Sequence, residues 1–208
     1  MRLILASTSP RRREILALFG LPFETVDPCF EERISAHRSV QEEVLAFAFG
    51  KAQSVAHNHP GAIVIGSDTM IVLDGEKMGK PSDLADARRM LEKLAGRQHQ
   101  IYTAVAIIGD LNGSGMQRVE RVDVVMRRFS NDEITHYLAR GESLDKAGAY
   151  SIQGVGEKLI ETIDGDYLAA VGMPLKPIAE YLYRRGISFP LDVDRLYAGK
   201  TFLNWSRF

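Results

Sequence analysis

The chain has little that would suit an extracellular, membrane-embedded or heavily cross-linked protein. It contains one cysteine, Cys29, which cannot form an internal disulfide. No apolar run approaches the roughly 20 residues that a membrane helix needs. The apolar run Leu3–Ala6 is too short for a signal peptide. We therefore expect a cytoplasmic protein that contacts no membrane.

An excess of charge of either sign is also missing. The 208 residues include 26 Lys and Arg and 27 Asp and Glu, for a formal net charge of -1. Such a chain has no overall field that would attract nucleic acid, so we expect no nucleic-acid partner, and any anion must be bound by a local cluster. Repeats and low-complexity tracts are absent as well. The length fits one large domain or two closely packed lobes.

Strand-like and helix-like segments alternate from the start, which predicts an α/β fold. Apolar runs at Leu3–Ala6 and 62–65 are typical of buried strands, and a third run at 70–73 leads into the hairpin signal Asp74-Gly75. We interpret the polar residues 66–69 as a break between two strands. Ser9-Pro10 predicts a helix start, and apolar spacing predicts a second helix at Val40–Ala56.

The second half continues the alternation. Ser82 predicts the start of a helix that Gly96 ends, and Ser130 with Glu133 forms a capping box. Strands are predicted at 101–108, 119–129, 158–163 and 167–171, with a loop at 112–115 and a final helix from Pro174. Residues 188–208 show no clear period.

Residues 7–13, Ser-Thr-Ser-Pro-Arg-Arg-Arg, combine hydroxyls, free backbone N–H groups and cations at a strand-to-helix junction. This combination suits a phosphate. Arginines at a helix start are unfavourable unless an anion compensates them, although a basic cluster can also simply face solvent. Asp68 could activate water or hold a metal, and a turn-forming role stays open.

Three further groups could contribute to an anion or metal site. Lys80 lies between Gly79 and Pro81 just before a helix, where a phosphate contact and a solvated loop are both open. The acidic residues Asp27, Glu31 and Glu32 offer oxygen ligands for Mg²⁺ or form a solvated edge. The glycine-rich residues 145–156 carry a lysine and an amide and allow close backbone approach, but they do not match a P-loop.

Together these segments resemble the Maf family of nucleotide pyrophosphatases. Members begin with a strand followed by Ala-Ser-x-Ser-Pro-Arg-Arg, which residues 6–12 match. Further matches follow in family order at 65–69, 79–81, 99–104, 145–150, 152–154 and 171–175. We therefore assign residues 1–187 to a Maf-like domain and leave 188–208 as a C-terminal extension of unknown role.

The resemblance implies an α/β fold like that of the inosine triphosphate pyrophosphatases, with a long mixed sheet, flanking helices and two lobes around a deep cleft. It also implies hydrolysis of a nucleoside triphosphate to its monophosphate and pyrophosphate with Mg²⁺ or Mn²⁺, and it leaves a homodimer open. The catalytic residues implied by position are Asp68, Glu32 and Lys80. Substrate contacts are implied for Ser7, Arg11, Arg12, Lys51, Thr69, Lys146 and Gln153. Asp68 matches the base, and the sequence leaves open whether Asp68 and Glu32 are metal ligands instead.

Substrate choice in the family is linked to the positions of Arg11, Thr69 and Gln153. Members that act on 7-methyl-GTP tend to have an aromatic residue, a glutamine and a glutamate there. A glutamine can both donate and accept hydrogen bonds, as the imide edge of a pyrimidine requires, so we expect dTTP and UTP as substrates. Two alternatives stay open. The chain could act on 7-methyl-GTP or a damaged purine, or it could regulate septum formation and cell division by binding.

Overall fold

The computed structural model describes residues 2–35, 37–109 and 115–208. Within these ranges the strands are β1 Leu3–Ala6, β2 Glu24–Val26, β3 Ile63–Leu73, β4 Glu76–Met78, β5 Gln98–Ile108, β6 Met116–Met126 and β7 Ile160–Asp164. The α-helices are α1 Pro10–Ala17, α2 Val40–Ala56, α3 Leu84–Leu94, α4 Asn131–Leu138, α5 Tyr167–Val171, α6 Leu175–Arg184 and α7 Val193–Gly199. Short 3₁₀ segments lie at Ala147–Ala149, Gly154–Leu159 and Trp205–Arg207. No helix in the described part is long and apolar enough to cross a membrane.

The seven described strands form one mixed sheet in the order β2-β1-β3-β5-β6-β7, with β4 added to β3. β1 runs parallel to β2 and β3, and the remaining pairs are antiparallel. β3, β5 and β6 each have 11 residues. The α/β class and the long mixed sheet are therefore confirmed.

The edge of β3 opposite β5 changes its neighbour midway along the strand. β1 pairs with β3 as far as Ala6 opposite Gly66, and β4 begins to pair at Ile71 opposite Met78. Between these points, residues 67–70 have no strand of the described ranges on that edge, although β5 continues on the other. The interval opens the sheet to a ligand, and Asp68, Thr69 and Met70 line the cleft there.

Apolar side chains cover both faces of the sheet. The larger core cluster joins α1, α3, α5 and α6 to one face, and it includes Ile15, Leu91 and Ile65. The other face packs under α2, where Val44 and Ala48 contribute. Burial of this apolar area is the main source of stability, and it fixes α2 and α1 on opposite sides of β3.

Gly66 sets how closely α2 approaches the sheet. A Cβ built on Gly66 would lie 2.3 Å from the carbonyl oxygen of Ala48 and 2.8 Å from the backbone nitrogen of Ala52. Only a residue without a side chain fits under the helix at this crossing. Lys51 of α2 is thereby brought over Asp68 of β3, two residues beyond the crossing.

Several predicted boundaries are wrong, and the strand predicted at 119–129 is Met116–Met126. Residues 66–69 do not break the strand, because β5 pairs with β3 without interruption from Val64 to Val72. The third helix is capped by Asp83, whose side chain accepts a hydrogen bond from the Asp86 N–H, and not by Ser82. Predictions for residues 110–114, within the loop at 112–115, lie outside the described residues.

The predicted strand at 167–171 is a helix, α5. Asp166 caps it by accepting hydrogen bonds from the backbone N–H groups of Leu168 and Ala169. All five helix residues are buried, and a short, wholly apolar run does not distinguish a buried strand from a buried helix. The predicted tail without period contains α7, and Leu196, Phe202 and Trp205 of the tail are buried in the larger core cluster.

Candidate active site

A cavity of about 710 Å³ opens at the free interval of β3. Its wall is built from the end of β1 with the start of α1, the middle of β3, α2, the loop before α3 and the segments around 146 and 153. All ten site residues predicted from the sequence line it, namely Ser7, Arg11, Arg12, Glu32, Lys51, Asp68, Thr69, Lys80, Lys146 and Gln153. The fold thus brings together residues that are separated by up to 146 positions in the sequence.

Lys51 is the centre of a charged triad inside the cavity. Its ammonium nitrogen lies 2.5 Å from Oδ1 of Asp68 and 2.5 Å from Oε1 of Glu32. The side chains of Lys51 and Asp68 are 10% and 7% exposed, and that of Glu32 is 39% exposed. The triad therefore runs from the buried floor, at Asp68, toward solvent, at Glu32.

The loop that carries Glu32 is anchored to α2 and β4 by a buried carboxylate. Glu43 accepts a hydrogen bond from the Ser35 N–H at 2.9 Å and pairs with Lys77 at 2.8 Å. Lys77 in turn donates to the carbonyl oxygen of Ser35 at 3.0 Å. These contacts hold residue 35, and so limit the positions that Glu32 can occupy.

The pKa values of the two carboxylates in the triad are shifted in opposite directions. Burial raises the pKa of Asp68 above its ordinary value, against the attraction of Lys51 and Arg12. Burial also acts to raise the pKa of Glu32, but Lys51, Lys80 and Arg12 outweigh it and the pKa is lowered. Separated pKa values in one cleft are typical of a proton acceptor beside a permanently charged partner.

Arg12 lies between the α1 start and the middle of β3. Its Nε donates to the carbonyl oxygen of Gly172 at 2.9 Å, and its terminal nitrogens contact Ser7 Oγ at 3.5 Å and Thr69 Oγ1 at 3.4 Å. Burial lowers the pKa of Arg12, while Asp68 acts to raise it. The first turn of α1 holds no acidic residue, so its N–H groups and Arg12 together favour an anion.

A one-directional chain of hydrogen bonds supports Thr69. Thr103 Oγ1 donates to the carbonyl oxygen of Ala169 at 2.7 Å, which commits its proton. Thr103 must therefore accept from Thr69 Oγ1 across their 3.0 Å contact. The Thr69 hydroxyl can therefore only accept further hydrogen bonds, from Arg12 and from a ligand.

Lys146 and Gln153 come to the cavity from the glycine-rich segment. Lys146 pairs with Asp145 at 2.6 Å. Gln153 Nε2 is buried and has no hydrogen-bond partner among the described residues. An unsatisfied amide in a cavity wall is costly unless a ligand pairs with it, so this atom indicates a binding position.

Positive charge exceeds negative charge among the cavity residues. Arg11, Arg12 and Lys80 form no ion pair within the described part of the chain, whereas Lys51 and Lys146 are already paired. Three cations without a direct ion pair, beside a helix N-terminus, are suited to a polyanion with several phosphate groups.

A family model described as Maf-like protein matches residues 2–185. The chain belongs to the Maf family. A Dictyoglomus thermophilum protein named dTTP/UTP pyrophosphatase is 46% identical over 187 residues, which cover 89% of this chain and 97% of that protein. A Moorella thermoacetica protein of the same name is 44% identical over 186 residues, covering 89% of this chain and 96% of that protein.

Similarity to solved structures is more distant. The Staphylococcus aureus Ham1 protein is 16% identical, with 77% of this chain and 80% of that chain covered and a TM-score of 0.43.

Two oxygen ligands of the Maf site could hold a divalent cation. Asp68 and Glu32 both contact Lys51 Nζ at 2.5 Å, so the two carboxylates lie close to each other in the cavity. Two other acidic residues were predicted as possible Mg²⁺ ligands. Asp27 lines the cavity, whereas Glu31 pairs with exposed Arg33. No group of three metal-binding side chains occurs among the described residues. Two carboxylates fit Mg²⁺, which usually takes further oxygens from substrate phosphates and water.

Several residues of the site were not singled out from the sequence. Thr103 lies within the matched segment 99–104. The sequence did not predict a role for it, because its hydroxyl contacts Thr69, which is distant in the sequence. Ser67 Oγ contacts the carbonyl oxygens of Ala104 and Gly172 at 2.8 and 2.9 Å. Gly172 itself accepts from Arg12. Backbone carbonyls carry no sequence signal, so only coordinates could reveal these partners.

Proposed function

We propose that this protein hydrolyses dTTP and UTP to the nucleoside monophosphate and pyrophosphate. The observation that carries the proposal is the position of Asp68. This buried carboxylate with a raised pKa lies in the same cavity as three cations that have no ion pair among the described residues. The relatives named dTTP/UTP pyrophosphatase, with 44% and 46% identity over 89% of the chain, support the substrate class.

In the proposed reaction, Arg12, Lys80 and the start of α1 bind the triphosphate chain. Asp68 accepts a proton from a water molecule, whose oxygen attacks the α-phosphorus. The new oxygen–phosphorus bond forms as the bond from the α-phosphorus to the bridging oxygen breaks, and pyrophosphate leaves with that electron pair. Positioning and charge stabilisation supply the rate enhancement, so no covalent intermediate is needed.

Lys51 has a double part in this scheme. It keeps Asp68 and Glu32 in place at 2.5 Å each, and its charge favours the ionised form of Asp68 that can accept a proton. A divalent cation held by Asp68 and Glu32 would supply further charge neutralisation on the phosphate oxygens. Mg²⁺ and Mn²⁺ are both part of the proposal, since either takes carboxylate and phosphate oxygens.

The base is read by Gln153. When its amide turns toward the ligand, the unpartnered Nε2 donates to a carbonyl of the base, and Oε1 accepts from the N3–H of thymine or uracil. Thr69 offers only acceptors, and Arg11, which also lines the cavity, adds a donor. A cytoplasmic location is also part of the proposal, supported by the single cysteine.

The test is a kinetic screen with Mg²⁺ and with Mn²⁺ of dTTP, UTP, CTP, GTP and 7-methyl-GTP, with separate detection of pyrophosphate and phosphate. We expect pyrophosphate from dTTP and UTP at the highest kcat/KM. A preference for 7-methyl-GTP would overturn the pyrimidine assignment. Release of single phosphate groups would overturn the site of attack.

A further inference from the structure

The C-terminal segment 188–208 extends past the family match, which ends at residue 185. It does not project into solvent. Phe202 and Trp205 are 8% and 6% exposed, and both belong to the larger core cluster. The segment is therefore packed against the domain, and its contacts decide what it does there.

Asn204 makes the most specific of these contacts. Its Nδ2 donates to the carbonyl oxygen of Ile152 at 3.0 Å and also to Glu157, while its Oδ1 accepts from the Tyr167 hydroxyl. Both ends of the amide are used, and each partner belongs to a different segment. One side chain thus ties the tail to the backbone before Gln153, to the 3₁₀ segment after it and to α5.

The position of Gln153 depends on this backbone, because its side-chain nitrogen has no partner among the described residues. On the other side of the segment, the Ser151 N–H donates to the Tyr137 hydroxyl at 2.9 Å. Residues 151–153 are therefore held from two directions, by α4 and by the tail. Loss of either support would let the amide of Gln153 move.

Aromatic contacts hold Asn204 at this place. Trp205 stacks on Tyr167 with ring centroids 5.2 Å apart and an interplanar angle of 13°, and its other neighbour Tyr197 meets it edge-on at 4.9 Å. The Tyr197 hydroxyl donates to Asp166 at 2.8 Å, and Asp166 caps α5. The tail consequently supports both α5 and the segment before Gln153, and both contribute residues to the cavity lining.

We propose that the C-terminal segment is a positioning element of the active site, in which Asn204 fixes Gln153 for recognition of the base. The inference rests on the proposed function only in giving Gln153 the task of reading the base. Asn204 does not line the cavity and acts through the backbone of Ile152.

A double-mutant cycle of Asn204→Ala and Gln153→Ala tests this inference. We expect Asn204→Ala alone to lower kcat/KM about 10- to 100-fold, mainly through a higher KM, as expected when a binding group is misplaced. In the Gln153→Ala background the same change should have little further effect, because the group it positions is gone. The cycle uses whichever triphosphate the wild-type protein hydrolyses fastest, so an error in the base assignment is seen in the wild type and leaves the test of Asn204 intact.

Trp205 is the only tryptophan of the chain, so its fluorescence reports whether the tail stays docked. If Asn204→Ala releases the tail, Tyr167→Phe takes its place in the cycle, since it removes one hydrogen bond to Asn204 and keeps the stacked ring. Asn58→Ala is the matched control. It makes the same substitution at an exposed position that lies outside both the tail and the cavity lining. We expect its KM to equal that of the wild type. Losses that add in the double variant, or an unchanged KM for Asn204→Ala, would overturn the inference.

Discussion

Lys51 Nζ lies 2.5 Å from Oδ1 of Asp68, just beyond the point where α2 crosses β3 at Gly66. The contact joins a helix on one face of the sheet to the strand whose edge is left free between β1 and β4. It favours the charged form of a carboxylate whose pKa is raised by burial. Asp68 is therefore both the proposed proton acceptor and the residue whose buried charge lowers stability.

Replacement of Asp68 by asparagine should separate these two effects. The amide cannot accept the proton from water, so we expect the rate of pyrophosphate release to fall about 10³-fold. The fold should be retained, because an amide has nearly the shape of the carboxyl group and needs no charged partner. A variant with near-normal turnover would remove Asp68 from the role of base.

The same variant should differ from the wild type in how its stability depends on pH. Because the pKa of Asp68 in the folded protein lies above its ordinary value of 3.8, the folded state binds this proton more tightly than the unfolded state. Stability from this group is complete below the ordinary pKa and is lost as pH rises through the raised one. In urea unfolding from about pH 3 to pH 8, the free energy of unfolding of Asp68→Asn should thus increase relative to that of the wild type as pH rises. A difference in free energy that stays constant with pH would contradict the burial effect.

Lys51 and Glu32 should move the pH profile of catalysis in opposite directions. Activity requires Asp68 without its proton, so kcat/KM should rise with pH through the pKa of Asp68. Lys51 lowers this pKa and Glu32 raises it. Lys51→Met should therefore shift the rising limb to higher pH, and Glu32→Gln should shift it to lower pH. The position of the limb is read separately from its height, which both substitutions should reduce. Shifts of the same sign in both variants would argue against Asp68 as the titrating group.

Much of the cavity could be predicted from the sequence because its residues lie in short matched segments. The segments around Ser7, Asp68 and Gln153 carry their roles in residue type and order. Helix α2 was also predicted with its observed bounds, because Val44, Phe47 and Ala48 recur at spacings of three and four residues. Local patterns of this kind do not depend on the rest of the fold.

Other features depend on contacts between distant segments and could not be predicted. The four polar residues 66–69 continue a strand only because β5 lies beside them along their whole length. Tyr167–Val171 forms a helix because Asp166 caps it, although its apolar run also suits a strand. The tail shows no clear period because isolated side chains hold it to the domain, such as Trp205 on Tyr167 and Asn204 on Ile152.

Gln153→Glu should weaken the use of dTTP and UTP selectively. A carboxylate can only accept hydrogen bonds, so it loses the donor that the amide offers to a carbonyl of the base. We expect kcat/KM for both pyrimidine substrates to fall about 10- to 100-fold, the cost of one unpaired hydrogen-bonding group. Substrates should be compared under identical Mg²⁺ concentrations. An equal loss for every triphosphate would show that residue 153 contacts the phosphates or the sugar and does not read the base.

Thr103→Val should weaken the site without touching the substrate. Valine has nearly the shape of threonine, but it removes both the hydrogen bond to Ala169 and the acceptor for Thr69. The Thr69 hydroxyl would then be free to turn its proton toward Arg12, where a donor meets a donor. We expect a several-fold higher KM and a loss of stability of about 1 to 3 kcal/mol. Thr103→Ser keeps the hydroxyl and should recover most of the KM. If serine and valine raise the KM equally, packing and not the hydrogen-bond chain supports Thr69.

Gly66→Ala tests whether the crossing of α2 and β3 sets the geometry of the Lys51–Asp68 pair. The added methyl carbon would lie 2.3 Å from the carbonyl oxygen of Ala48, which is backbone and cannot rotate away. The helix must move outward, so we expect a destabilisation of about 1 to 3 kcal/mol from overpacking. Because the shift also carries Lys51 away from Asp68, the rising limb of the pH profile should move to higher pH, as in Lys51→Met. Unfolding in urea and kcat/KM against pH measure the two effects independently. A destabilised variant with an unshifted pH profile would mean that the helix yields elsewhere and that Lys51 follows Asp68 through its own flexible side chain.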